Sequence, residues 1–245
     1  MGLLRAHLNV VLHQIRSPEN LGAVARLMAN FDLERLILSD PMTFAIRKAE
    51  RVAVRGSAVL EGLRLERSLE AALADSVFVV GTTGRATVKN RRTLSPEDAV
   101  ARLAEESARG RVALLFGGEQ RGLSDEELER CHEILVIPTS DKQPSMNLAQ
   151  SAAVLLYLCA RADGAAPSPP APEPGARMQT LHALEGRMRD VLLRADFLNP
   201  QAPDHILHEL GRSLVRGHLT QREAELWLNA FAHLDRVVKP AGPKS

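Results

Sequence analysis

Aromatic side chains are scarce in this chain: six Phe, one Tyr and one Trp among 245 residues, or 3%. A protein so poor in rings is not built to read nucleic-acid bases by stacking them on aromatic platforms. Charge of one sign is lacking as well. Lys and Arg number 31 against 30 Asp and Glu, a net charge of +1. No global field draws in a polyanion, so any such contact must come from a local patch. Cysteine is limited to Cys131 and Cys159. Two thiols make neither a disulfide framework nor a four-Cys zinc site. Both lie in apolar stretches, as buried thiols of a reducing compartment do. The longest apolar run, 152–160, is too short to span a bilayer. Near the start, Arg5, His7 and Asn9 interrupt any leader-like core, and Ala6 breaks a myristoylation motif. The expectation is a cytoplasmic protein with no metal.

What is present is ordinary globular material, 45% hydrophobic and 25% charged. Residues 8–12, 35–38, 77–80, 112–116 and 134–137 are near-continuous Val, Ile, Leu and Phe, as strands buried on both faces are. Helix signals fall between them. Ser95-Pro96-Glu97-Asp98 supplies a cap, a first-turn proline and acids, and Ser124-Asp125-Glu126-Glu127 reads as a capping box. Such alternation predicts an α/β fold with a parallel sheet covered by helices. Composition shifts after Arg161. Residues 162–176 are rich in Pro, Ala and Gly and read as a semi-rigid linker. Amphipathic patterns follow at 176–196, 203–216 and 220–237, the last opened by the capping box Thr220-Gln221-Arg222-Glu223. The organisation expected is a domain over 1–161, a linker over 162–176 and a helical extension over 177–245.

Three segments stand out. Residues 116–124, Phe-Gly-Gly-Glu-Gln-Arg-Gly-Leu-Ser, link a strand to a capped helix. Gly117, Gly122 and Ser124 have the spacing of a phosphate loop, but Leu123 holds the lysine position and Glu119 would repel phosphates. That disfavours nucleotide hydrolysis. A tight turn accounts for the glycines but not for Glu119. Asn20 to Arg26 opens a helix with an apolar stripe of Leu21, Val24, Ala25 and Met28. Asn20 suits an N-cap after the Ser17-Pro18 turn, and Arg26 suits a solvated face. Ile137-Pro138 closes a strand, since proline cannot donate to a ladder. Ser145 and Asn147 then suit the cap of a helix so apolar that it belongs in the core or at a subunit interface.

Two further features bear on binding. Thr82-Thr83-Gly84 follows a strand, and open parallel sheets bind ligands at the carboxyl ends of their strands. Residues 85–92 carry Arg85, Lys89, Arg91 and Arg92 with no acid; beside a site, such a run favours phosphate contact. The histidines are uninformative. His132 lacks further ligands at metal spacing, His13, His182, His205, His208 and His218 have no recognisable partners, and no G-x-S-x-G elbow supports a hydrolase.

Over residues 7 to 161, the order Asn20…Arg26, Glu119…Gly122, Ser145…Asn147 resembles the three motifs of the SPOUT (SpoU/TrmH-type) RNA 2′-O-ribose methyltransferases. Gly81-Thr82-Thr83-Gly84-Arg85, the run from Gly122 to His132, and the helical extension with Leu192-Leu193-Arg194-Ala195-Asp196-Phe197-Leu198 are most similar to the branch acting on nucleotide 32 of the tRNA anticodon loop. Met146 replaces the usual Leu, a volume-conserving swap. The resemblance implies an α/β sheet ending in a deep trefoil knot, S-adenosylmethionine as methyl donor, and a homodimer paired through the knot with no metal. It implies that Thr82, Thr83, Gly84, Gly117, Ile137, Pro144, Ser145 and Met146 line the cofactor site. It gives Arg26 the catalytic role, either taking the proton or positioning phosphate and nucleophile, with Asn20 orienting Arg26 or the ribose, Glu119 and Asn147 holding the motif loops, and Ser145 touching the phosphate or the cofactor. A ribosomal RNA target, or a non-catalytic RNA-binding module on the same fold, are the alternatives.

Overall fold

The computed structural model describes residues 2–42, 45–85, 88, 91–162, 173–199 and 201–238. The chain divides into two compact units, Met1–Pro172 and Glu173–Ser245.

In the first unit, the described residues form seven strands: β1 Leu8–His13, β2 Leu36–Ser39, β3 Arg64–Glu66, β4 Ser76–Thr83, β5 Thr93–Leu94, β6 Arg111–Phe116 and β7 Glu133–Val136. They lie in the order β3-β2-β1-β6-β4-β7-β5, and every pair is parallel. The five apolar runs expected to be strands are β1, β2, β4, β6 and β7, with ends shifted by a few residues. All of β1 and β2, and all but the first residue of β6, are buried, which is why those runs do not alternate. β3 and β5 carried no apolar run. They are edge strands of three and two residues, and an edge needs only backbone pairing.

Helices α1 Pro18–Asn30, α2 Ile46–Ala53, α3 Ser57–Glu61, α4 Leu69–Leu73, α5 Pro96–Ser107, α6 Asp125–Glu129 and α7 Leu148–Arg161 cover the sheet. Leu21, Val24, Ala25 and Met28 of α1 are buried in one core with Leu148, Ala152, Leu155 and Leu156 of α7. Ser95 caps α5, and Ser124 with Glu127 closes the capping box of α6. At α1 the expectation is corrected. Ser17 is the cap, accepting from Asn20 N at 3.1 Å, which leaves the Asn20 side chain free to reach across the site.

The second unit holds α8 Met178–Arg194, α9 Asp204–Arg216 and α10 Gln221–Val237. Leu181, Leu184, Met188, Val191, Leu207 and Ala224 are buried, and the capping box at Thr220 and Glu223 forms as expected. Residues placed at the end of the linker belong to this unit. Ala176 N donates to Leu219 O, and Gln221 N to Pro174 O.

Candidate active site

β4, β6 and β7 end along one edge of the sheet, and their carboxyl ends open into a cavity of about 420 Å³. That size and position suit a small-molecule site in an open parallel sheet. Its wall comes from three loops: 82–85 after β4, 116–122 after β6, and a stretch after β7 that includes Ile137, Thr139 and 144–148. The loop after β6 is drawn tight at Gly117, where a Cβ would lie 2.2 Å from the Gly122 carbonyl carbon; Gly122 itself takes φ +66°. Only glycine meets both demands. All eight residues expected to hold a cofactor, Thr82, Thr83, Gly84, Gly117, Ile137, Pro144, Ser145 and Met146, stand on this wall.

The polar groups are arranged by neighbouring loops. Thr82 Oγ1 donates to Leu115 O at 3.1 Å, and Thr139 Oγ1 to Pro144 O at 2.9 Å. Gln143 Nε2 donates to Ser145 O at 3.3 Å. The exposed Ser145 hydroxyl makes no hydrogen bond among the described residues, so it is open to a ligand.

The three motifs meet through side chains. Asn20 Nδ2 donates to Glu119 Oε1 at 2.9 Å. Glu119 also accepts from the backbone of Arg16 at 2.9 Å and Ser17 at 3.0 Å. Asn147 Nδ2 donates to Asn20 Oδ1 at 3.2 Å, while Asn147 Oδ1 caps α7 through Ala149 N at 2.8 Å. Glu119 thus explains itself: it ties the loop after β6 to the start of α1, and Asn20 passes the tie to α7. Partial burial pushes the Glu119 carboxyl up, but the bonds from Asn20, Arg16 and Ser17 outweigh it and hold it below its ordinary range. It is a fixed anion at neutral pH, not a proton acceptor. Because its folded value is depressed, the stability it contributes is present at neutral pH and lost as pH falls through that value.

Replacing Asn147 should expose the double duty. Asn147→Ala loses the cap and the bond to Asn20, and denaturation should show about 1 kcal/mol less stability. Asn147→Asp keeps the cap acceptor but loses the donor to Asn20, so it should recover only the cap's share of that loss; an equal loss in both variants would count against the cap.

Arg26 is not on the cavity wall. It is exposed and, among the described residues, makes no hydrogen bond or ion pair. The basic run is divided. Arg91 donates to the carbonyls of Leu128 at 3.2 Å, Cys131 at 3.0 Å and His132 at 2.8 Å. Its guanidinium is occupied in tying the end of α6 in place, which corrects its expected phosphate role. Arg85 lines the cavity and donates to Asp125 at 2.5 Å and Leu123 O at 3.2 Å. Arg92 is exposed and unpaired among the described residues. Lys89 lies outside the described residues.

Sequence reasoning missed Arg121 and His13. Arg121 lines the cavity and donates to Glu127 at 2.6 and 3.1 Å and to Gln14 Oε1 at 2.7 Å. Buried His13 donates from Nε2 to Glu127 Oε1 at 3.0 Å and places Nδ1 3.0 Å from Ser39 Oγ. Glu127 therefore serves the capping box, His13 and Arg121 together; despite burial, Arg121, Ser124 and His13 hold its carboxyl below the ordinary range. The capping box was the signal for Glu127, but nothing local marked its distant partners. His132 Nδ1 accepts from Val79 N at 3.0 Å, a structural use. Burial pushes both cysteine thiols up to about 12, so neither is a thiolate nucleophile at neutral pH.

A cofactor-sized cavity at the carboxyl edge of a parallel sheet, with the loop after β6 and the start of α7 both tied to Asn20, defines a class rather than a lone protein. The SpoU rRNA Methylase family model matches residues 7–157, and the chain belongs to that family. Among its relatives is the tRNA (cytidine/uridine/adenosine-2′-O-)-methyltransferase TrmJ of Pseudomonas aeruginosa. It is 30% identical over 244 residues, covering 95% of each chain. The crystal structure of TrmJ from Z. mobilis ZM4 superposes with a TM-score of 0.82 at 25% identity, over 93% of this chain and 98% of that one. A structure described as giving insight into the 2-OH methylation of C/U34 on tRNA has 31% identity and a TM-score of 0.52. It covers 63% of this chain and 94% of that one.

Proposed function

We propose that the chain is an S-adenosylmethionine-dependent RNA 2′-O-ribose methyltransferase acting on tRNA, at nucleotide 32 of the anticodon loop. The observation that carries this reading is the extent of the likeness. The P. aeruginosa tRNA methyltransferase matches 95% of this chain, helical extension included, while the structure connected with C/U34 covers 63%. The extension therefore sets this chain beside the longer relatives.

The cavity suits the cofactor. Phe116, Leu135, Ile137, Met146 and Leu148 give it apolar surface, and the glycine turns expose backbone groups for an adenosine and an amino-acid tail. Bound there, S-adenosylmethionine supplies an activated methyl group. The chain's task is to hold the ribose 2′-oxygen in line with it and help remove the proton. We assign Arg26 to the methyl acceptor rather than to the cofactor. A guanidinium is a poor base, so it orients the RNA phosphate and the nucleophile. Asn20, Glu119 and Asn147 hold the loops that set this distance, and Ser145 offers its free hydroxyl to cofactor or phosphate.

The loop after β7 and α7 form the trefoil knot, and two copies pair through α7. Leu148, Leu155 and Leu156 are already buried in their own core. The seam is therefore narrower than the whole apolar helix and runs through Val154, Leu158 and exposed Tyr157. No helix among the described residues is long and apolar enough to cross a membrane, and we place the enzyme in the cytoplasm with its tRNA.

Nucleoside analysis of tRNA from a strain lacking the gene tests the reading. Loss of ribose methylation at nucleotide 32, restored by purified protein with S-adenosylmethionine, is the expected result. Unchanged tRNA together with a missing ribosomal RNA methyl group would favour the other substrate.

A further inference from the structure

Many arginines of the first unit are held by internal partners, while the side chains of Arg16, Arg67, Arg92 and Arg161 are exposed and without one among the described residues. Arg35, Arg64 and Arg111 converge on Asp75 at 3.6, 3.2 and 2.7 Å, Arg85 pairs with Asp125, and Arg121 with Glu127. The face built by α1, α2 and the turn after α2 gathers four more such side chains. Arg26, Arg47, Arg51 and Arg55 are exposed there, and none has a hydrogen bond or ion pair among the described residues. Arg47 and Arg51 are one helical turn apart. Lys48 adds another cation, close enough to Glu19 to help lower its pKa, and Glu50 is the only acid in α2.

This face is held in place with little slack. A Cβ on Gly22 would lie 2.2 Å from Ala49 O, and one on Gly56 would lie 2.9 Å from the Cα of Arg26. Backbone therefore meets backbone at both points, and Arg55 is carried to the side of Arg26. Between α2 and Arg55, Val54 adopts φ 54° and ψ −104°, a conformation that a β-branched residue rarely takes. The residue is 59% exposed, so burial does not offset the strain. Strain of this kind gathers where the placement of neighbours matters to function. At its other end α1 reaches the cavity through Asn20 and Asn147.

We propose that Arg47, Arg51 and Arg55 form a phosphate track that seats the RNA backbone beside the acceptor pocket and leads it to Arg26. The proposal rests on the methyltransferase reading above. Unpaired like charges repel one another, and a polyanion relieves that cost. The arginine fork matches phosphate geometry, and such contacts position a substrate without reading its sequence.

The test compares the full-length parent with the double variant Arg51→Gln/Arg55→Gln in a tRNA-binding series across salt concentrations. Cofactor affinity, measured by calorimetry, serves as the control for folding. The slope of log affinity against log salt should fall by ~0.7–0.9 per lost contact, about 1.5 in all. The KM for tRNA should rise while turnover at saturating tRNA and cofactor affinity stay at the parent's values. An unchanged slope beside an active parent overturns the track alone. So does a loss of turnover with the slope intact. A parent that neither binds tRNA nor transfers methyl groups fails the enzyme reading, and the track with it. Val54→Gly relieves the positive φ and should raise the KM for tRNA without changing turnover; a parental KM would remove the strained turn from the proposal.

Discussion

Arg26→Ala should lower methyl transfer to tRNA by at least ~100-fold, the scale of removing a positioned electrostatic or proton-transfer group. The expectation is sharp because Arg26 has no partner among the described residues, so its removal breaks no internal bond and stability should hardly move. Cofactor affinity should also hold, since Arg26 is not on the wall of the cavity. An interaction made mainly in the transition state lowers turnover more than ground-state binding. Arg26→Lys should rescue little, because an ammonium lacks the planar fork. Single-turnover kinetics and calorimetry read the two quantities separately. Near-parental turnover in the alanine variant would return Arg26 to the role of a solvated helix residue.

A chain truncated after Pro172 should bind S-adenosylmethionine with parental affinity, keep the full chain's oligomeric state by light scattering, and lose tRNA methylation by ~10-fold or more, which corresponds to about 1.4 kcal/mol of lost recognition. The sheet, the cavity and α7 all lie in the first unit. The second unit has a small core and leaves Phe197, Leu226 and Trp227 more than half exposed. Full tRNA activity in the truncated chain would show that the extension is dispensable.

The core strands were legible because burial on both faces leaves an unbroken apolar run, as in β1 and β6. β3 and β5 were not, because backbone pairing at an edge asks nothing of the side chains. Caps were read well where the acceptor is local: Ser95, Ser124 and Thr220 each bond an amide three residues on. Asn20 was harder. Its composition suited a cap, yet Ser17 takes that place and Asn20 reaches Glu119, 99 positions away. The same limit applies to Arg91. A run of cations reads alike whether its guanidiniums face solvent or, as here, the carbonyls of residues about 40 positions on.

The sequence by itself determined the parallel α/β plan, the capped helix starts, the helical extension and the family, because each depends on short-range periodicity or on motif residues with near-fixed spacing. Only the tertiary structure decided that the loops after β4, β6 and β7 wall one cavity, that Glu119, Asn20 and Asn147 form one bonded chain, and that His13 and Arg121 share Glu127. It also decided which arginines are occupied internally and which are left exposed along α1 and α2. The physical reason is that partners far apart in the chain meet only when parallel strands bring their carboxyl ends to one edge. A charge's worth depends on what folding places beside it.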